Sequence, residues 1–63
     1  MIELTLPDMT CGHCVRTVTE TVRKLDADAK VQTDLPTHTA RIETRADEQA
    51  VRAALAEEGY PAA

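Results

Sequence analysis

The sequence predicts an α+β fold, a ferredoxin-like βαββαβ sandwich in which two helices cover one face of an antiparallel sheet. Three observations lead to this prediction. Apolar and polar residues alternate in three short segments, which is the pattern of half-buried strands. In two other segments, apolar residues recur at spacings of three and four, which is the pattern of amphipathic helices. The order of these segments gives two βαβ halves, whose right-handed crossovers form such a sandwich.

The first half consists of a strand, a short loop and a helix. The strand ends at Pro7, because proline cannot donate a hydrogen bond to a neighbouring strand. Its apolar residues are Ile2, Leu4 and Leu6. The helix is predicted to begin within residues 12–14. Its apolar stripe consists of Val15, Val18, Val22 and Leu25.

The second half consists of a hairpin, a helix and a tail. One strand carries Val31, Thr33 and Leu35, the next carries Ala40, Ile42 and Thr44, and a turn at residues 36–38 joins them. Asp47 is the predicted N-cap of the second helix, with Thr44 as the rival. The apolar face of this helix is Ala50, Val51, Ala54 and Leu55. Gly59 follows its last turn, and residues 60–63 add a short edge strand.

The composition excludes several classes of protein. The 63 residues form one domain, residues 1–63, with a formal net charge of −4 and no basic patch, which argues against nucleic acid as a partner. No apolar run approaches the ~20 residues that span a bilayer, so membrane insertion is not expected. The first residues lack the features of a signal peptide, which favours a cytoplasmic protein. The chain begins with Met1 and ends soon after the last predicted element, which favours a free protein over a transporter domain.

Residues 9–14, which read M-T-C-G-H-C, contain both cysteines of the chain. Cys11 is predicted to lie in the loop and Cys14 in the first turn of the helix. The unpaired N–H groups and partial positive charge of a helix N-terminus favour a thiolate over a thiol. In a reducing compartment, such a pair is more typical of metal binding or catalysis than of a structural disulfide.

Two thiolates fit some metal sites better than others. Structural zinc normally has four ligands, whereas Cu(I) is soft and seeks thiolates. An open site with few ligands also suits metal transfer, because an incoming thiolate can bind before an old one leaves. His13 is a candidate third ligand, its alternative being a solvated loop residue. His38 is a candidate fourth, although its position in the hairpin turn makes a solvated turn residue the preferred interpretation.

The motif and the element order resemble the heavy-metal-associated domain, and most closely the bacterial CopZ-like copper chaperones. The resemblance covers essentially the whole chain, including M-T-C-G-H-C and the E-G-Y of residues 58–60. Asp8 stands where the family motif, G-M-T/S-C-x-x-C, begins with glycine. The resemblance implies that Cys11 and Cys14 bind Cu(I), that Met9 is a buried residue anchoring the loop, and that Tyr60 lies near the metal.

The resemblance also implies a function without catalytic turnover. Such proteins pass Cu(I) by thiolate exchange to the metal-binding domain of a copper-transporting P-type ATPase, or to a copper-responsive regulator. We expect a monomer, with a copper-bridged dimer as the alternative. The acidic charge predicts a partner with a basic face beside its own C-x-x-C pair, and Asp26 and Glu57 are charges whose reversal would test this.

Two alternative functions stay open. The first is a domain for another soft ion, such as Zn(II), Cd(II) or Hg(II), in a transporter or detoxification system. The second is a small thiol-disulfide oxidoreductase, because C-G-H-C is also the active-site tetrapeptide of protein disulfide isomerases. Thioredoxin-like folds are longer than this chain, and their motif usually has an aromatic residue where Thr10 stands.

Overall fold

A computed structural model describes residues 1–63 and confirms the α+β sandwich. The elements are β1 (Ile2–Thr5), α1 (Gly12–Leu25), β2 (Lys30–Asp34), β3 (Thr39–Glu43) and α2 (Glu48–Glu57). The strand order is β1-β3-β2 and both pairings are antiparallel. Ala40 of β3 lies opposite Leu4 of β1 and Thr33 of β2. Strand β3 therefore occupies the centre of the sheet.

The two faces of the sheet have opposite character. Leu4, Ala40 and Ile42 are buried on the face that the helices cover. On the other face, Arg41 Nε donates to Glu3 Oε2 at 3.1 Å, and both side chains are more than half exposed. An exposed ion pair of this kind adds little stability. The buried apolar cluster consists of Leu4, Leu6, Met9, Val18, Val22, Ala29, Ala40, Ile42, Val51 and Leu55.

Helix α1 contains three threonines, which are mediocre helix formers. Each hydroxyl donates to the carbonyl four residues earlier, and the pairs are Thr17 with His13, Thr19 with Val15, and Thr21 with Thr17. These bonds satisfy hydroxyls that would otherwise compete for the helix backbone. Leu25, predicted to lie on the apolar stripe, is 44% exposed because the helix ends there. Ala50, in the first turn of α2, is likewise exposed rather than on the buried face.

Helix α2 begins and ends as the sequence predicts. The Asp47 side chain accepts a hydrogen bond from the Gln49 backbone at 3.0 Å, so Asp47 is the N-cap and the rival Thr44 is not. Gly59 adopts a φ of 91°, and its N–H donates to the Ala56 carbonyl. The next N–H, that of Tyr60, donates to the Leu55 carbonyl at 2.8 Å, which completes a Schellman motif.

The predicted strand boundaries are off by one residue, and the fourth strand is absent. Leu6, Leu35 and Thr44 each lie just beyond the strand to which they were assigned. The tail makes a single backbone bond to β1, from the Ala63 N–H to the Thr5 carbonyl at 2.8 Å. Pro61 has no N–H to extend this pairing, so the tail follows the edge of β1 without forming a ladder. Neither helix is long and apolar enough to cross a bilayer.

Candidate metal centre

The two cysteines meet at the N-terminus of α1. Cys11 is the N-cap residue, with extended backbone angles, and its carbonyl accepts the Val15 N–H at 3.1 Å. Its side chain makes no capping bond and is exposed, whereas Cys14 in the first turn is half-buried. The two sulfur atoms lie 3.2 Å apart. This distance exceeds the ~2.05 Å of a disulfide, so both thiols are free and close enough to bind one ion.

The pKa of Cys14 is lowered to about 6. The largest cause is a hydrogen bond from the Tyr60 hydroxyl, followed by bonds from the Thr10 backbone and the Cys11 side chain. All of these stabilise the thiolate, while partial burial acts in the opposite direction. Cys14 is therefore a thiolate at neutral pH. The sequence predicted this from the helix terminus, but the Tyr60 hydroxyl contributes most.

The position of Tyr60 follows from the end of α2. The Schellman motif turns the chain immediately before Tyr60, whose half-buried ring packs against the core. Its bond to Cys14 raises the pKa of Tyr60, because ionising the phenol would break the bond and bring two negative charges together. The hydroxyl of Tyr60 is consequently a donor to the sulfur throughout the neutral range.

Met9 anchors the loop that leads to the cysteines. Its side chain is fully buried in the apolar cluster. Its backbone N–H donates to the Leu6 carbonyl at 2.9 Å, and its own carbonyl lies 2.9 Å from Nδ1 of His38. The loop is thus fixed by the buried Met9 side chain and by hydrogen bonds to both the N–H and the carbonyl of Met9.

The two histidines occupy different surroundings. His13 is exposed on the first turn of α1. His38 is half-buried and bonded to Met9, so the interpretation of His38 as a solvated turn residue was wrong. No pattern in the sequence pairs residues 29 positions apart in this way. No group of three or more His, Cys, Asp or Glu side chains is arranged to hold a metal ion. The structure therefore brings the two cysteines together without a third such side chain.

Comparison with known families gives a match over almost the entire chain. The model of the heavy-metal-associated domain matches residues 3–61. Among curated proteins, none matches significantly. The family match includes both cysteines, Met9 and Tyr60.

Solved structures give close matches as well. The chain is 39% identical to a gold binding protein, with a TM-score of 0.93 over 98% of this chain and 95% of that one. It is 36% identical to the copper chaperone Atx1 from Synechocystis PCC6803 in a trimeric form, with a TM-score of 0.96 over the full length of both chains. It is 29% identical to oxidized MerP from Ralstonia metallidurans CH34, with a TM-score of 0.85 over 98% and 90% of the two chains.

Proposed function

The chain belongs to the heavy-metal-associated domain family, and from this premise we propose that it is a cytoplasmic copper chaperone. It binds Cu(I) through the thiolates of Cys11 and Cys14. It delivers the ion to the metal-binding domain of a copper-transporting P-type ATPase or to a copper-responsive regulator. Its role is that of a carrier, as for the similar copper chaperone Atx1, and it has no catalytic turnover of its own.

One observation carries the proposal: two free sulfur atoms lie 3.2 Å apart, one exposed and one already a thiolate at neutral pH. Thiolate ligands favour soft ions such as Cu(I) over hard cations such as Mg²⁺ and Ca²⁺. Two thiolates on one tetrahedral zinc ion would lie about 3.8 Å apart, given Zn–S distances of about 2.3 Å. A small outward movement of Cys11 is therefore enough to admit an ion, and its exposed position at the N-cap permits that movement.

The unequal environments of the two sulfurs give transfer an order. An incoming thiolate of the partner forms a bond to the ion while both cysteines still hold it. The bond to Cys11 then breaks first, because this residue is exposed and its side chain is not held by the helix. Cys14 leaves last, since it is half-buried and held within the first turn of α1. Each released thiolate is free to take up a proton from water.

A second candidate function is binding of another soft ion. It is favoured by the similarity to a gold binding protein, which is 39% identical to this chain. Thiolates bind most thiophilic metals, so the two sulfurs alone do not discriminate among them. Competition between Cu(I) and Zn(II), Cd(II) or Hg(II) for the same site separates this candidate from the copper chaperone.

The deciding experiment is an anaerobic titration in which the protein competes with a chromophoric chelator for Cu(I). We expect tight one-to-one binding by the wild type and none by the Cys11→Ser/Cys14→Ser variant. His13→Ala is the matched control, because this exposed side chain belongs to no metal-binding group. Weak binding by the wild type, or equal binding by the double variant, would overturn the proposal. An insulin-reduction assay on the same samples tests the oxidoreductase alternative.

A further inference from the structure

Among the residues of the β2–β3 turn, His38 makes the hydrogen bonds to the segment that precedes the cysteines. Its carbonyl accepts the Leu6 N–H at 2.7 Å, and its ring Nδ1 lies 2.9 Å from the Met9 carbonyl. A carbonyl oxygen can only accept, so Nδ1 carries the proton and donates. The Met9 N–H in turn donates to the Leu6 carbonyl at 2.9 Å. These three bonds form a closed ring that joins the turn to the segment immediately before the cysteines.

His38 also has an unusual backbone conformation. Its φ is 55°, and it is the only residue other than glycine with a positive φ. Asparagine, aspartate and histidine tolerate this region better than most residues, but glycine enters it without a side-chain penalty. The imidazole at this position makes a long-range bond that glycine could not make. The strained conformation and the bond therefore point to a role for the side chain beyond closing a turn.

The bonded carbonyl belongs to the peptide group that connects Met9 to Thr10. A trans peptide is planar, and its C=O and N–H point in opposite directions. The Thr10 N–H on the far side of this group is among the causes that lower the pKa of Cys14, and Thr10 directly precedes Cys11. His38 therefore holds the peptide unit that leads directly into Cys11, and a hydrogen bond to the carbonyl of this unit polarises its N–H.

We propose that His38 is a positioning residue for the metal site: its Nδ1–H holds the Met9–Thr10 peptide in place and so fixes the segment that presents Cys11 at the N-cap of α1. This inference rests on the proposed function, since it assigns His38 a part in presenting the Cu(I) ligands. His38 touches neither the ion nor the cysteines, and it acts through the peptide between them.

Three substitutions test the proposal. Asn Nδ2 and Asp Oδ branch from Cγ as His Nδ1 does, and both residues tolerate a positive φ. His38→Asn keeps a donor facing the Met9 carbonyl, whereas His38→Asp places an acceptor there. His38→Gly removes the side chain and relieves the backbone conformation, so its folding is not compromised by φ. Thermal unfolding of each metal-free variant controls for general loss of structure.

The expected results differ between the variant that keeps a hydrogen-bond donor for the Met9 carbonyl and the variants that lack one. The net effect of a typical hydrogen bond corresponds to about a two- to tenfold change in an equilibrium constant. We therefore expect Cu(I) affinity, from chelator competition, to fall by about that factor in His38→Gly and His38→Asp. His38→Asn should stay within about twofold of the wild type. In ¹H–¹⁵N spectra of the metal-free proteins, the Thr10 amide should shift upfield in the Gly and Asp variants and keep its position in the Asn variant.

Two outcomes would overturn the inference. The first is a folded His38→Gly variant with wild-type affinity and an unchanged Thr10 amide. The second is a folded His38→Asn variant that loses as much as His38→Asp. The Thr10 amide is measured without metal, so it tests the positioning role even where the wild type itself fails to bind Cu(I). Failure of the copper chaperone proposal is therefore distinguishable from failure of this one.

Discussion

The two ends of α1, about 20 Å apart for a helix of this length, are both held by hydrogen bonds between loops. At the C-terminal end, the Asp26 carboxylate accepts from the Asp28 N–H, the Thr44 hydroxyl and the Arg45 N–H. At the N-terminal end, His38 and Met9 fix the loop while the Cys11 sulfur stays exposed. One end uses its bonds to close two loops, and the other uses them to present reactive groups.

The two ends also illustrate how one physical effect serves different purposes. Hydrogen-bond donors lower the pKa of Asp26 and that of Cys14. The ordinary pKa of an aspartate already lies far below neutral pH, so lowering the pKa of Asp26 leaves its charge at neutral pH unchanged. For Cys14 it moves the titration from above neutral pH to below it. Only the second shift changes the chemistry available at physiological pH.

The largest expected effect is a loss of Cu(I) affinity, and it is confined to the N-terminal end of α1, where the cysteines lie. Loss of residues that merely support a ligand costs about 10- to 100-fold in metal affinity, so Cys11→Ser should cost about a hundredfold or more. Because Cys11 is exposed, the metal-free variant should keep its stability within about 0.5 kcal/mol. Chelator competition and thermal unfolding measure the two quantities. A large loss of metal-free stability would show that Cys11 also supports the fold.

The next effect concerns the acidity of Cys14. Tyr60→Phe removes the largest cause of its low pKa, so the pKa should rise from about 6 toward the usual thiol range. The pH dependence of iodoacetamide alkylation measures this in a Cys11→Ser background, which leaves one thiol. The Cys11→Ser background also lacks the hydrogen bond from Cys11 to Cys14. The proteins with and without Tyr60→Phe must therefore both carry Cys11→Ser. Coincident profiles with and without the Tyr60 hydroxyl would contradict the assignment.

The same pKa shift predicts how stability depends on pH. The folded-state pKa of Cys14 lies below its unfolded value, so the thiolate contributes stability at alkaline pH that is lost as pH falls through about 6. Thermal unfolding of the metal-free protein should therefore show rising stability from about pH 6 to pH 8.5. Tyr60→Phe should flatten this rise, and an unchanged slope would argue against the bond.

A smaller effect is expected at the opposite end of the helix. The lowered pKa of Asp26 means that its stabilising contribution is present at neutral pH and lost as pH falls through the folded-state pKa. We expect Asp26→Asn to lower the melting temperature at pH 7 and to reduce the acid-induced loss below about pH 4. Its Cu(I) affinity should match the wild type, because the cysteines lie at the other end of α1. Reduced affinity would show that the two ends are coupled.

The smallest effect concerns encounter with a partner. Glu57, at the end of α2, lies three residues before the tyrosine that contacts Cys14, whereas Asp28 lies beyond the far end of α1. Glu57→Lys should slow transfer at low salt by about two- to threefold toward a domain with a basic face. Asp28→Lys carries the same charge change and should alter the rate less. Equal rates for both variants would count against a steered encounter at the cysteine end.

Local signals account for most of what the sequence predicts correctly. Periodicity locates the helices and strands, Asp47 and Gly59 mark the ends of α2, and the spacing of Cys11 and Cys14 accounts for their sulfur atoms meeting at the start of α1. Each of these features depends on residues that are close in sequence.

The contacts that tune the site are harder to predict, because they join distant parts of the chain. The resemblance places Tyr60 near the metal, but its rank as the main cause of the low Cys14 pKa needs three-dimensional coordinates. The bond between His38 and Met9 spans 29 positions and depends on how the hairpin packs beside the loop. At Leu25 the helical pattern is predicted correctly, but the pattern does not reveal that the last residue of α1 is exposed to solvent.

Gly59 ends α2 and Tyr60 follows it directly. The length of α2 therefore determines where the Tyr60 hydroxyl lies relative to Cys14 in α1. Each residue added to an α-helix advances it by 1.5 Å and rotates it by about 100°. One extra residue before Gly59 would therefore swing the Tyr60 ring away from Cys14, while the cysteines and their loop stayed intact. An insertion in α2, remote from Cys14 in sequence, can thus change the pKa of the Cys14 thiol while the C-x-x-C motif stays unchanged.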